Sequence, residues 1–250
     1  MLSTADQTDL WVRRYHPAPH ARSRLLCLPH AGGSATYFFG VSRALSPRVE
    51  VLAVQYPGRQ DRRSEPFVET IGELADRVVG AIGSQLDDRP LALFGHSMGA
   101  VLAFEVATRL ERTGTVAAAL FVSGRRAPCT HRAETVHLKD DNGILDEVRS
   151  LNGTDSRIMA DDELIRMALP SIRADYKAIE TYRYEPAPPL RSPIQAMVGD
   201  EDPKASIPEV RRWAEHTSAG FTLHVFPGGH FFLDQHVTAV LDKITGGLPG

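Results

Sequence analysis

Cysteine occurs only twice in this 250-residue chain, at Cys27 and Cys129, too few for a disulfide framework and without the spacing of a metal site. Lysine is almost as scarce: of 28 basic residues only Lys139, Lys177, Lys204 and Lys243 are lysines, a bias that reports codon composition as readily as function. Neither sign of charge is in large excess. A net charge of −3 gives no footprint for nucleic acid and no polybasic patch for a membrane. The longest purely apolar run, Val116–Val122, falls far short of the roughly 20 residues that cross a bilayer. Met1–Asp6 lacks the basic-then-apolar pattern of a secretory signal. Internal repeats, low-complexity segments and a phosphate-binding loop are also lacking. These absences lead us to expect a cytoplasmic protein with no nucleic-acid or membrane partner, no metal, and Cys27 as a small core residue.

What the chain does have is ample core material: 42% of its residues are hydrophobic and 24% charged. Strand-like apolar runs at Leu10–Tyr15, Arg24–Leu28, Val49–Gln55, Leu91–Phe94, Ala118–Ser123, Ile194–Val198 and Thr222–Phe226 alternate with helical patterns. The helical patterns cover Ala35–Leu45, Ile71–Leu86, Met98–Arg112, Pro208–Thr217 and Leu233–Ile244. Such alternation predicts a single α/β domain over residues 1–250, a mostly parallel sheet with helices on both faces. Residues 131–190 break the pattern. They hold amphipathic stretches at Asp141–Leu151, Ala160–Leu169 and Ile172–Tyr182, with Pro170 expected to break or kink the run, and a proline-rich close at Glu185–Pro189. We expect this insertion to be a helical lid over a site; the plainer alternative is a helical decoration with no part in access.

The most informative stretch is Phe94-Gly95-His96-Ser97-Met98-Gly99-Ala100. It joins a short buried-strand pattern to a helical one through Gly-x-Ser-x-Gly, and a strand turning abruptly into a helix leaves no room for side chains beside the nucleophile. Gly95 and Gly99 supply that room, which marks Ser97 as a nucleophile. A serine hydroxyl needs a base. Of ten histidines, His230 stands in a glycine-rich loop between the last strand and the last helix, at the sheet edge where α/β sites form. His96 lies within the elbow and is directed away from a base's position; His30 precedes a glycine-rich loop and suits a structural or oxyanion-loop role. The third member must be a carboxylate. Gly199-Asp200-Glu201-Asp202-Pro203 follows a strand and offers three acids, of which Asp202 is preferred and Asp200 is the runner-up, with turn capping as its plainer role. The loop after the preceding strand, Ser123–Pro128, contains no carboxylate. The resulting order Ser97, Asp202, His230 is that of the α/β-hydrolase fold. Oxyanion donors are expected from the backbone N–H of Met98 and, in Leu28-Pro29-His30-Ala31-Gly32-Gly33-Ser34, of Ala31.

Taken together, these pieces resemble the type II thioesterases of polyketide and nonribosomal peptide pathways, over nearly the whole chain. The resemblance rests on Leu28–Gly33, on Gln55-Tyr56-Pro57-Gly58-Arg59 with Arg62 following, on Gly95–Gly99, and on Ser123–Pro128, Gly199–Pro203 and Gly228–Phe231. It implies a discrete hydrolase that removes acyl groups from the phosphopantetheine arm of acyl or peptidyl carrier proteins, to clear stalled or misprimed units or to release a specific chain. The arm belongs to the substrate, so the enzyme itself needs no cofactor. Arg59, Arg62 and Arg63 become candidates to meet a phosphate or an acidic carrier, the alternative being a solvated face. Rival readings are a general carboxylesterase or lipase of the same fold, a non-catalytic binding protein of that fold, and a terminal cyclising thioesterase. The starting methionine and the lack of an upstream linker lead us to expect a free-standing enzyme instead of the last.

Overall fold

The computed structural model describes residues 10–83, 85–152 and 162–249. Seven strands form one sheet: β1 (Val12–Arg13), β2 (Ser23–Leu28), β3 (Val49–Val54), β4 (Leu91–His96), β5 (Ala119–Ser123), β6 (Ile194–Gly199) and β7 (Phe221–Phe226). Their order is β1-β3-β2-β4-β5-β6-β7, with β1 antiparallel to β3 and every other pair parallel. Each residue of β2 through β5 is buried, so these strands are largely apolar without polar alternation, with Arg24 and Glu50 as buried charged exceptions.

Period-2 alternation sorts their side chains into two cores. Leu26, Leu28, Leu52, Val54 and Leu93 face one way, against α2 (Ile71–Gly83) and α3 (Met98–Arg112). Leu25, Cys27, Val51, Ala53, Ala92 and Phe94 face the other, against α1 (Phe39–Leu45) and the C-terminal helices. Fully burying one such aliphatic or phenyl side chain stabilises the fold by about 1.5–3 kcal/mol. No helix among the described residues is long and apolar enough to cross a membrane.

Strands β2 and β4 are neighbours, but the chain passes from β2 out to β3 before returning to β4. Their carboxyl ends therefore flank the point where the strand order reverses, the usual place for a site in an open α/β sheet. Between β5 and β6 lies the insertion, which carries α4 (Asp141–Asn152) and α5 (Asp162–Thr181). It has a small core of its own, Val136, Ile144, Leu145, Leu169, Ile172 and Tyr176, and Ala31 of the main body packs against that core.

Several expected boundaries shift. β1 is confined to two residues instead of Leu10–Tyr15, as befits an edge strand. Of the break or kink expected at Pro170, the break does not occur: α5 runs through it to Thr181, without the bond that the missing N–H would give. Buried Leu169, Ile172 and Tyr176, on the insertion's apolar side, hold the helix together across the proline. Ala160 and Asp161, expected at that helix's start, lie outside the described residues. α6 (Ile207–Arg211), opened by a Ser206–Glu209 capping box, passes into a tighter 3-10 turn at Arg212–His216. The final helical stretch is two helices, α7 (Phe232–Gln235) and α8 (Val237–Gly246), parted at His236.

Candidate active site

β4 ends at His96, and Ser97 opens α3 with φ 56° and ψ −118°, one of two non-glycine residues with positive φ among the described residues. Its N–H donates to Ser123 O at 2.8 Å, which ties the turn to the end of β5. Two glycines make this turn possible. A Cβ on Gly95 would lie 1.9 Å from Gly99 O, and one on Gly99 would lie 2.1 Å from Leu28 O and 2.7 Å from Pro29 O. The second approach brings the start of α3 directly against the loop that follows β2. Strain of this kind persists only where its surroundings over-determine it.

The structure brings Ser97, His230 and Asp202 together. His230 Nε2 is 3.0 Å from Ser97 Oγ, and its Nδ1 is 3.0 and 2.9 Å from the two oxygens of Asp202. A carboxylate can only accept, so the Nδ1 carries the proton and Nε2 presents its lone pair to the Ser97 hydroxyl. Asp202 and His230 are buried, whereas Ser97 retains partial exposure. Asp202 is held by the Lys204 N–H, which donates to Oδ1 at 2.8 Å. Asp200 has a different task. Its Oδ1 accepts the Gly228 N–H at 2.8 Å, fastening the β6 loop to the histidine loop.

Two further imidazoles surround His230. The His96 ring lies 4.9 Å from that of His230, with its Nδ1 3.0 Å from Ser123 Oγ. Burial, then the neighbouring His230 and His30, hold its pKa well below the ordinary histidine value. His30, enclosed by Tyr37, His96 and Phe231, is pushed down to about 3 by burial and then by His230 and Arg59. Both rings are therefore neutral at physiological pH, and neither reaches Ser97 by a hydrogen bond.

The loop after β2 carries Ala31. Among the described residues its N–H has no hydrogen-bond acceptor. Met98, the first residue of α3, has an N–H at the positive end of a helix where first-turn donors lack intrahelical partners. The contact of Gly99 with Leu28 and Pro29 sets these two donor segments side by side.

Arg59 and Arg62 depart from expectation. They turn inward and are 8% and 3% exposed. Arg62 pairs with Glu65, donates to Gln55 O at 2.7 Å and stacks 4.4 Å over the Trp11 ring. Arg59 makes a two-pronged pair with Asp175, at 2.6 and 2.9 Å, and donates to Gly33 O at 3.0 Å. Burial opposes the Arg59 charge, but Asp175 more than offsets it, and its pKa lies above the ordinary guanidinium value. A planar guanidinium offers five donors, and internal carbonyls and carboxylates use them here, leaving these two arginines as scaffold for the loop and not as surface contacts. Only Arg63 of the three faces solvent. Asp175 itself escaped sequence reading. It sits in a helical stretch where one acid among charged residues reads as a solvated face.

A family model for the thioesterase domain matches residues 23–247. The chain belongs to the thioesterase family. It is 51% identical over 239 residues to Thioesterase PikA5 of Streptomyces venezuelae, covering 95% of this chain and 85% of that protein. Among solved structures, the type II thioesterase BorB from the borrelidin biosynthetic cluster superposes with a TM-score of 0.93 at 52% identity, covering 96% of this chain and 98% of its own. YbtT, a type II thioesterase from the yersiniabactin NRPS/PKS pathway, gives a TM-score of 0.85 at 30% identity over 96% of this chain and 98% of its own. The expected resemblance to type II thioesterases and the expected α/β-hydrolase fold are both borne out, and the chain is an enzyme of the hydrolase class.

Proposed function

We propose that this thioesterase hydrolyses acyl thioesters from the phosphopantetheine arm of acyl or peptidyl carrier proteins in a polyketide or nonribosomal peptide pathway, clearing stalled or misprimed units or releasing a specific chain. The observation that carries the reading is the continuous hydrogen-bonded chain from Asp202 through His230 to the hydroxyl of Ser97. In the proposed sequence His230 takes the Ser97 proton as Oγ attacks the thioester carbonyl. The Met98 and Ala31 amides receive the developing oxyanion, and Asp202 stabilises the imidazolium. Collapse expels the pantetheine thiol, whose pKa of about 8.5 makes it an easy leaving group. A water molecule, deprotonated by the same histidine, then attacks the acyl-enzyme and frees the acid. Nucleophile, base and oxyanion donors all come from the chain, so the route calls on no metal or nucleotide.

The insertion over residues 131–190 serves as a lid in this reading, supported by the way its core packs on Ala31. The protein works in the cytoplasm, where its two thiols remain reduced. A panel of carrier proteins loaded with acyl groups of varied length and branching, followed by intact-protein mass spectrometry, tests the assignment. Loss of the acyl mass with wild type and not with Ser97→Ala is the expected result. Strong preference for a simple ester of the same acyl chain over the carrier thioester overturns it in favour of a general esterase. Equal labelling of wild type and Ser97→Ala by a fluorophosphonate probe would show that Ser97 is not the nucleophile.

A further inference from the structure

The loop that offers the Ala31 N–H is a four-residue turn, His30–Gly33, closed by the Gly33 N–H donating to His30 O at 2.9 Å. Gly32 occupies its third position with φ 76°, and Ala31 is not among the positive-φ residues, which together define a type II turn. Each of its peptide planes is held. The first contains both the His30 carbonyl and the Ala31 N–H, so the closing bond points that N–H away from the turn. The second presents the Gly32 N–H to Asp175 Oδ2 at 2.8 Å. The third carries the closing Gly33 N–H itself, and the plane that follows the turn presents Gly33 O to the Arg59 guanidinium at 3.0 Å. The same two side chains grip each other through both carboxylate oxygens.

Asp175 is not part of the loop or of the sheet. It stands on α5 of the insertion, 1% exposed, and three residues earlier on that helix Ile172 lies over Gly32, where its Cγ1 would be 2.6 Å from an added Cβ. Residues three apart share a helix face, so one face of the insertion helix presses a carboxylate and an aliphatic side chain onto the turn. A buried carboxylate is costly unless fully partnered, and here the partners are a guanidinium and a backbone N–H of the candidate oxyanion loop.

We propose that Asp175 is a positioning residue for the oxyanion site: clasped with Arg59, it locks the His30–Gly33 turn so that the Ala31 N–H faces the reacting carbonyl, and the insertion helix thereby controls catalytic power as well as access. The inference rests on the oxyanion role given to Ala31 above. An acyl thioester can bind while the helix is displaced, but the turn is then free to reorient and the tetrahedral intermediate loses a donor. Full stabilisation returns only when α5 is seated, which links hydrolysis to a correctly closed insertion.

The test compares wild type with Asp175→Asn, which keeps the shape and can still accept from Gly32 but forfeits the charge holding Arg59, and with Arg59→Lys, which keeps a charge but loses the fork. Active sites are counted first by end-point fluorophosphonate labelling, so that misfolded protein is not scored as slow enzyme. Removal of one oxyanion donor lowers turnover by about 10²–10³-fold, so mispositioning it should lower kcat per titrated site by about 10- to 100-fold. KM should stay within about twofold, the signature of an interaction made only in the transition state. Affinity for an acyl trifluoromethyl ketone, which forms a tetrahedral oxyanion adduct with the serine, should fall by the same factor as kcat, while the matching non-electrophilic methyl ketone binds as before. The double variant should be no slower than the slower single one. Wild-type kcat per site in both single variants overturns the inference, as does a parallel loss of methyl-ketone binding, which would make Asp175 a wall of the substrate pocket. So does a loss confined to the number of titratable sites, which would make the pair a folding element only. Ser97→Ala runs alongside: if it still hydrolyses the substrate, the underlying assignment of the site has failed; if it is dead while Asp175→Asn is normal, only the present inference has failed.

Discussion

The elbow around Ser97 and the insertion between β5 and β6 hold the same site by opposite means. The elbow is held by close approach of backbone: Gly95 to Gly99, Gly99 to Leu28 and Pro29, and, across the sheet edge, Gly199 to Gly228, where an added Cβ would lie 2.2 Å from the carbonyl oxygen. No charged side chain takes part in those contacts. The insertion adds charge to the apolar contacts that Ala178 and Ile179 make with the main core. Asp175 meets Arg59, Glu180 meets the His137 imidazole and the N–H groups of Val136 and His137, and Lys204 reaches both Glu134 and Glu147 from the residue but one after Asp202. Steric contacts of the first kind do not respond to salt or pH; ion pairs do, in proportion to their exposure. The nucleophile is thus built on the insensitive half of the molecule, while the part over it hangs on the sensitive half.

The largest effect that could break this contrast is at the elbow. Gly95→Ala places a methyl group 1.9 Å from a backbone oxygen that has nowhere to go, and the expected outcome is loss of at least about 10⁴-fold in kcat or failure to fold, read by thioester hydrolysis and circular dichroism. A variant with near-normal turnover would show that the turn is not sterically determined. Next in size is the acid. Asp202→Asn leaves the His230 ring in place but permits the wrong tautomer, and we expect a fall of about 10³–10⁴-fold in kcat. Asp200→Asn still accepts from Gly228 and should cost less than about tenfold. Measuring the two side by side on one substrate decides the assignment, and a larger loss for Asp200 would reverse it.

The two halves also differed in how far the sequence could be read. Gly-x-Ser-x-Gly, the Gly228–His230 loop and the strand runs were legible because the constraint is local: a strand buried on both faces must be apolar, and a sharp turn must have glycine at fixed offsets. The same short turn favours Asp202 over Asp200. The insertion was legible only as amphipathic helix. The partner of Asp175 is 116 residues away in the chain, and no local rule connects Arg-Ala-Asp-Tyr to Tyr-Pro-Gly-Arg. A faint signal existed in Arg59 itself, since an arginine directly after Tyr-Pro-Gly at the end of an apolar strand has little route to solvent and must find a carboxylate somewhere. Pro170 was ambiguous for a related reason: local chemistry allows a break or a kink, and packing of Leu169, Ile172 and Tyr176 rules out the break.

Acid should separate the halves with a smaller effect. Burial opposes the charge of Glu134, but Arg126, Lys204 and Arg125 outweigh it and bring its pKa down to about 2 from an ordinary 4.5. A folded-state pKa below the unfolded one means the pair stabilises the native state fully above about pH 4.5, and that this contribution fades as the pH falls toward 2. The pKa of Glu147 is also lowered, since Lys204 and Lys139 overcome its burial, and its contribution fades in the same direction. Protection against hydrogen exchange, taken relative to the intrinsic rate at each pH, should therefore fall in α4 before it does in β4 between pH 4.5 and pH 3, and Glu134→Gln should already show part of that loosening at pH 7. Uniform exchange in both elements across this range would mean that charge does not fasten the insertion.

The smallest effect tests whether charge matters by its presence or by its burial. Lys177 stands two residues after Asp175 on the same helix and pairs with Glu69 of the main body, so it too ties the insertion down. Both members of that pair are nearly half exposed, at 48% and 45%, whereas Asp175 is 1% exposed. In water the attraction between two such groups is mostly screened, and holding two long side chains in one geometry costs entropy, so the pair is worth about 0–1 kcal/mol. Lys177→Ala should leave kcat within about twofold of wild type and lower Tm by no more than about 2–4 °C in a chain of this size. Asp175→Asn, two residues earlier on the same helix, leaves the Arg59 charge buried without its counter-charge and should cost several times as much stability by the same thermal melt. If the two variants melted alike, the distinction between buried clasp and surface strap would collapse, and the insertion would be held by its apolar contacts, those of its own core with Ala31 and those of Ala178 and Ile179 with the main core.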